Sequence, residues 1–97
     1  MNGFLVRRAT VEDLPQLRTL WQMENLSCEF LEKHFTEFQV VEDGAGQVLA
    51  AIGLQAREGH GRLHSEAIAF FDQAEAMRAL LWPRLKVMAC NQRITRL

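Results

Sequence analysis

Two side chains with acid–base chemistry lie two positions apart in the second half of the chain, His64 and Glu66. Residues 62–71 (RLHSEAIAFF) are rich in apolar side chains and follow a glycine-containing turn, which predicts a strand. Alternate residues of a strand point to the same face, so His64 and Glu66 are predicted about 6.6 Å apart on one face. An imidazole and a carboxylate so placed can act as general acid and base, and the alternative is a solvated surface pair.

The remaining His and Cys side chains lead to weaker predictions. His60 and His64 are four residues apart, but a turn followed by a strand separates them by roughly 13 Å, so we expect no metal site. Cys28 follows Ser27, the predicted cap of a short helix, and it is interpreted as either a nucleophile or a small apolar filler. His34 is expected at the end of that helix, where it complements the helix dipole.

The first half of the chain is predicted to form a strand and two helices. Residues 4–8 have strand character, and Thr10 can cap a helix that runs to about Glu24. One apolar stripe of this helix consists of Leu14, Leu17, Leu20 and Trp21. A second helix begins after Ser27, and its buried side is predicted to hold Phe30, Leu31 and Phe35.

The second half is predicted to form three consecutive strands, a helix and a last strand. The strands are 38–41, 47–55 and 62–71, of which 47–55 is apolar enough to be buried on both faces. A helix over 73–91 carries a stripe of Met77, Leu81, Leu85 and Met88, and Pro83 predicts a kink or a break in it. With a parallel last strand at 93–97, the order β-α-α-β-β-β-α-β predicts an α/β fold with a mixed sheet.

This order of elements resembles the Gcn5-related N-acetyltransferase superfamily. The residues that carry the resemblance are 6–14 (VRRATVEDL), 40–43 (VVED) with 46–53 (GQVLAAIG), and 78–81 (RALL). The resemblance implies an acyl-CoA N-acyltransferase-like fold that binds acetyl-CoA between the fourth and fifth strands. It covers about the first two thirds of the family fold, so a truncated member is expected.

The resemblance also implies roles for individual residues. Glu66, with His64, corresponds to the carboxylate that deprotonates the acceptor amine in several members of the family. The cofactor-binding region corresponds to Phe70, Phe71, Gln73 and Arg78. In this region Glu75 and Met77 replace the two glycines of the family's pyrophosphate loop, and Asp72 and Glu75 repel a phosphate. The resemblance therefore makes acetyl-CoA a possible cofactor, held by a degenerate loop.

Composition limits the remaining classes of function. The chain has 97 residues, 48% hydrophobic and 24% charged, with a net charge of −1, which predicts a single domain over residues 1–97. The absence of Tyr excludes phenolic acid catalysis, and Cys28 and Cys90 are expected to be reduced thiols. Without a secretory signal or a membrane-length apolar run, the protein is expected to be cytoplasmic and to bind no membrane. The basic residues of 72–97 lack an interleaved ladder of aromatic side chains, so no nucleic-acid partner is expected.

These observations favour a truncated, non-catalytic acetyltransferase-like domain that works as a homodimer in binding or regulation. The predicted last strand, which begins at Arg93 and ends at Leu97, is an open edge that should pair with a second chain. One alternative is an acetyl-CoA-dependent N-acetyltransferase of a small amine or amino acid, completed by dimerisation. Another is a protein-interaction module that docks through the helix carrying Leu80, Leu81 and Trp82.

Overall fold

The computed structural model describes residues 3–57 and 59–91, which form an antiparallel sheet with helices on both faces. The strands are β1 (Leu5–Arg8), β2 (Phe38–Glu42), β3 (Val48–Arg57) and β4 (His60–Ile68), and they neighbour one another in chain order. Helices α1 (Leu14–Met23) and α2 (Cys28–Glu32) lie between β1 and β2, and α3 (Ala74–Asn91) follows β4. The predicted order is confirmed through α3, whereas the predicted strand at 93–97 lies outside the described residues.

A network of three charged side chains joins the start of α1 to the sheet. Asp13 ends the turn before α1 and accepts the backbone N–H of Thr10 at 2.7 Å, which satisfies a donor at the start of the helix. The Arg7 guanidinium on β1 donates to both oxygens of Asp13, at 2.7 and 2.9 Å, and to Glu42 on β2 at 2.5 Å. Because Asp13 is only 4% exposed, this pairing compensates an otherwise unfavourable buried charge.

The sheet separates two apolar clusters. The cluster under α1 and α2 includes Leu17, Trp21, Leu31, Phe38 and Ala67, and the cluster under α3 includes Val41, Ile52, Leu54, Leu81 and Leu85. Strand β3 contributes to both, with Ala51 in the first and Ala50 in the second. The predicted burial of this strand on both faces is confirmed.

Helix α3 runs unbroken through Pro83, so of the two predicted outcomes, a kink or a break, the break is wrong. The stripe of Met77, Leu81, Leu85 and Met88 is buried as predicted. Its contacts with the sheet on both sides of Pro83 hold the helix together despite the lost backbone hydrogen bond. No helix of the described residues combines the length and the apolar character that crossing a membrane requires.

Two further predictions are wrong, one about a buried side chain and one about the bounds of a strand. Phe30 is 56% exposed rather than buried, because α2 has five residues and only Leu31 reaches the core. The strand predicted over 62–71 begins at His60 and ends at Ile68, and residues Phe71–Gln73 form a helical turn that leads into α3. Apolar composition alone had extended the strand through Phe70 and Phe71, which are exposed.

Candidate functional site

The candidate site is organised by a bulge in β4. Ala51 of β3 faces Ala67 and Gly53 faces His64, so one residue of β3 is opposed by two of β4, Ser65 and Glu66. The extra residue interrupts the alternation of side chains along the strand. His64 therefore contacts the α1–α2 side of the sheet and Glu66 contacts α3. The prediction that they share one face is wrong.

The His64 imidazole is held by four neighbours, Gly53, Phe38, Glu37 and Ser65. It lies over the Cα of Gly53, where a β-carbon would be 2.6 Å from two ring atoms, and its edge meets the Phe38 ring with centroids 5.4 Å apart. Nε2 lies 3.1 Å from Oε1 of Glu37, and Nδ1 lies 3.1 Å from the hydroxyl oxygen of Ser65. With its side chain 14% exposed, the ring is held in one orientation.

The neighbours of His64 indicate which ring nitrogen carries the proton when the imidazole is neutral. An ionised carboxylate only accepts hydrogen bonds, so the contact with Glu37 places the ring proton on Nε2. Nδ1 then has a free lone pair that accepts the Ser65 hydroxyl. The three side chains form a chain of carboxylate, imidazole and hydroxyl.

This chain of groups lines a cavity of about 240 Å³, here called the α2–β4 pocket. Its walls are formed by Leu26, Ser27, Phe30, Leu31, Glu37, Gln55, Arg62, His64 and Ser65. The apolar side chains come from α2 and the loop before it, whereas most of the polar ones come from β3 and β4. A pocket of this size and mixture suits a small ligand with both apolar and charged groups.

Glu66, the predicted base, is engaged on the opposite face. Its two carboxylate oxygens accept hydrogen bonds from Arg78 of α3 at 2.7 and 2.9 Å. These hydrogen bonds hold the pKa of Glu66 below its ordinary value, with the positive charge of Arg78 adding to the effect. A carboxylate stabilised in this way is a weaker proton acceptor.

The predicted cofactor-binding residues lie around the start of α3. Phe71 is 91% exposed, and Phe70 and Gln73 are also exposed. Phe71 and Arg78 line a cavity of about 140 Å³ with Glu24, Glu66, Ile68 and Ala74. The structure therefore brings two of the four predicted residues together, and Arg78 is already paired with Glu66.

Neither family models nor the sequences of curated proteins match this chain. Solved structures do match its fold. The protein Rv2747 of Mycobacterium tuberculosis, in complex with CoA and NLQ, superposes with a TM-score of 0.79 at 21% identity, over 93% of this chain and 60% of that one. The chain has the fold of the Gcn5-related N-acetyltransferases. The predicted fold class is thus confirmed.

Part of N-acetylglutamate synthase of Neisseria gonorrhoeae matches the fold of this chain as well. Its complex with coenzyme A and L-arginine matches with a TM-score of 0.74 at 20% identity, over 94% of this chain and 22% of that one. Its complex with coenzyme A and N-acetyl-glutamate matches with a TM-score of 0.67 at 21% identity, over 86% and 22%. The chain thus spans 60% of the Mycobacterium protein and 22% of the Neisseria enzyme.

The other residues singled out by sequence lie around the acetyltransferase-fold core. His34 stacks on Phe30 with ring centroids 4.7 Å apart, and its Nδ1 is 3.5 Å from Glu37 Oε2. Helix α2 ends at Glu32, so His34 lies two residues beyond the end of the helix rather than within its last turn. The Cys28 thiol lies 3.6 Å from the carbonyl oxygen of Arg18, and His60 is exposed at the start of β4. Within residues 3–57 and 59–91, no three His, Cys, Asp or Glu side chains are grouped to hold a metal ion.

The two hydrogen-bond partners of His64, Glu37 and Ser65, are not predicted from the sequence. Ser65 lies between His64 and Glu66, and it becomes a candidate only when a bulge is placed at this point of β4. Glu37 lies 27 positions before His64 in a short helical turn, and no local pattern connects the two. Only the packing of that turn against β4 joins them.

Proposed function

We propose that this acetyltransferase-fold domain is catalytically degenerate and acts as a homodimeric binding or regulatory module. The observation that carries the proposal is the acidic, glycine-free start of α3. Asp72 lies in the turn before the helix and Glu75 in its first turn, and no glycine follows Gly61 in the chain.

Electrostatics and backbone geometry both weaken phosphate binding at this position. A helix N-terminus attracts anions through its backbone N–H groups, and glycines allow a phosphate to approach them closely. Here two carboxylates already occupy that end, and side chains replace the glycines. The nearby cation Arg78 is held by Glu66, so a pyrophosphate would have to displace that carboxylate.

Isothermal titration with acetyl-CoA tests this proposal. We expect no saturable heat from the wild type at ligand concentrations up to about 1 mM. The double variant Asp72→Asn/Glu75→Gln keeps side-chain size but removes two negative charges, and it is expected to bind measurably.

Glu12→Gln is the matched control, because Glu12 is an exposed acid in the first turn of another helical segment. It should behave like the wild type. Saturable wild-type binding with a Kd of about 10 µM or tighter contradicts the proposal. A double variant that binds no better than the wild type shows that negative charge at the start of α3 is not what prevents acetyl-CoA binding.

The homodimer is supported by an apolar groove between α3 and β4. The groove, about 180 Å³, is lined by Ile52, Leu63, Leu81, Trp82 and Leu85 together with the Glu66–Arg78 pair. Leu63 and Trp82 are 39% and 43% exposed, and burial of such side chains favours association. The edge predicted at 93–97 lies outside the described residues, and the proposal of a second copy therefore rests on this groove.

Size-exclusion chromatography with light scattering measures the predicted association. We expect twice the monomer mass, and Trp82→Glu should shift the species to the monomer because it places a charge in the groove. Val11→Glu is the matched control, since Val11 is 58% exposed at the far end of the chain. A monomeric wild type, or equal effects of both variants, rejects a dimer through this groove.

The second candidate is an acetyl-CoA-dependent N-acetyltransferase of a small amine or amino acid, and the Glu37–His64 contact favours it. A carboxylate that orients an imidazole makes it an effective general base for deprotonating an amine. His64 suits this role better than Glu66, whose lowered pKa makes it a weaker base. The amino-acid ligands of the Neisseria synthase structures support this substrate class.

An acetylation assay with a panel of amines and amino acids separates the two functions. Absence of turnover rejects the enzyme. If the wild type does acetylate, His64→Gln should reduce the rate by about 100-fold and Glu66→Gln should leave it unchanged. The reverse pattern assigns the base to Glu66, as the resemblance implies.

A further inference from the structure

The α2–β4 pocket contains a feature that amine binding does not require, a serine hydroxyl at the end of the Glu37–His64 contact. We propose that Ser65 is an activated nucleophile that accepts the acyl group of a small carboxylic ester. The resulting esterase activity needs no acetyl-CoA, and it goes beyond the binding or regulatory role proposed above.

The hydrogen-bond order supports activation of the hydroxyl. Glu37 fixes the proton on Nε2 of His64, so Nδ1 accepts from Ser65 at 3.1 Å. Serine hydrolases likewise bond the nucleophile to an imidazole that a carboxylate orients. Here the two ring nitrogens exchange roles, since Nδ1 faces the serine and Nε2 faces the carboxylate. Packing of the imidazole against Phe38 and Gly53 holds the base in place before any ligand binds.

The backbone of Ser65 is in an uncommon conformation. Its φ of 56° lies in the left-handed region, which a residue with a β-carbon rarely adopts. Such strain costs on the order of 1–3 kcal/mol and is concentrated at functional sites. At the bulge Ser65 has no register partner on β3. Its hydroxyl lies beside the neighbouring imidazole and lines the pocket.

The pocket provides the other groups that an ester needs. Its volume of about 240 Å³ admits a small ester, and Leu26, Phe30 and Leu31 form an apolar wall for the acyl or alcohol part. Arg62 and Gln55 line the same pocket and carry N–H donors that can stabilise the negative oxygen of a tetrahedral intermediate.

The proposed reaction balances without a cofactor. Ser65 Oγ bonds to the ester carbonyl carbon while its proton moves to Nδ1 of His64. The bond to the alcohol oxygen then breaks, and the alcohol leaves with that proton. Water repeats the sequence on the acyl-serine, so the products are one carboxylic acid, one alcohol and the regenerated serine.

Covalent labelling tests the nucleophile directly. An alkyl fluorophosphonate releases fluoride on reaction with an activated serine, and intact-mass measurement with peptide mapping locates the adduct. We expect one adduct, on Ser65, and we expect the wild type to hydrolyse p-nitrophenyl acetate. Ser65→Ala should remove both results. Thr19→Ala is the matched control, because Thr19 carries an exposed hydroxyl on α1 and lies outside the lining of this pocket.

Two further variants test activation by the imidazole. His64→Gln should slow labelling by about 100-fold, and Glu37→Gln, which leaves the ring packed on Phe38, should slow it by about tenfold. Circular dichroism confirms folding, and Glu37→Gln decides the matter if His64→Gln does not fold. Absence of an adduct, an adduct elsewhere, or Ser65 labelling at the wild-type rate in the folded variants overturns the proposal.

Discussion

Gly53→Ala is expected to destabilise the protein by about 1–3 kcal/mol and to displace the His64 imidazole. The added β-carbon would lie 2.6 Å from Cε1 and Nε2 of that ring, closer than van der Waals contact allows. The ring cannot move away without losing its contacts with Phe38, Glu37 and Ser65. The substitution should therefore lower the stability of the protein and disturb the site at the same time.

Urea unfolding measures the loss of stability, and fluorophosphonate labelling measures the effect on the site. Gly44→Ala is the control, because its β-carbon would meet only one backbone oxygen, at 3.9 Å. We expect Gly44→Ala to resemble the wild type in both measurements. Wild-type stability in Gly53→Ala would show that the ring does not lie over Gly53.

Arg7→Met is expected to cost about 3 kcal/mol of folding free energy. The substitution leaves the Asp13 carboxylate, 4% exposed, without its main partner and also removes the contact with Glu42. Removal of one member of a buried ion pair is more costly than removal of both. Breaking a buried pair costs roughly 3–5 kcal/mol, and we expect the low end of that range because the Arg7 side chain is 28% exposed.

The pH dependence of stability tests the same network with a defined sign. Hydrogen bonds from Arg7 hold the pKa of Asp13 below its ordinary value of 3.8. A carboxylate with a depressed folded-state pKa contributes stability that is fully present above the unfolded value. That contribution is lost as the pH falls through the folded-state pKa. Stability of the wild type should therefore decrease on acidification below about pH 5.

The variant changes this profile. In Arg7→Met the acid-dependent decrease should be smaller, because Asp13 no longer gains from ionisation on folding. Arg8→Met is the control, since Arg8 is exposed on the same strand. Chemical unfolding at several pH values measures all three proteins. If Arg7→Met and the wild type lose stability equally on acidification, the Arg7–Asp13 pair is not the source of the acid sensitivity.

The sequence predicted most of the fold because its signals are local. The acidic turn after Thr10, the apolar stripe from Met77 to Met88 and the glycine turns between strands each occupy neighbouring positions in the chain. At Pro83 local propensity predicts a kink or a break, and contacts of the helix with the sheet keep the helix continuous. The end of β4 was misplaced because apolar residues at a turn resemble those of a strand.

The site was predicted only in part because its geometry depends on pairing between distant segments. Counting by two along β4 places His64 and Glu66 together, but a bulge is a property of two strands and reverses that result. The partner of His64, Glu37, comes from a turn near the start of β2, and the partner of Glu66 comes from α3.

The sequence by itself determined the order of elements, the resemblance to the acetyltransferases and the acidic, glycine-free start of the last helix, since these are properties of consecutive residues. Tertiary structure decided which side chains meet. It directed His64 toward Glu37 and Ser65 in one pocket and Glu66 toward Arg78 on the opposite face. The physical reason is the extra residue at Ser65, which changes the face of every side chain beyond it and becomes apparent only when β4 is paired with β3.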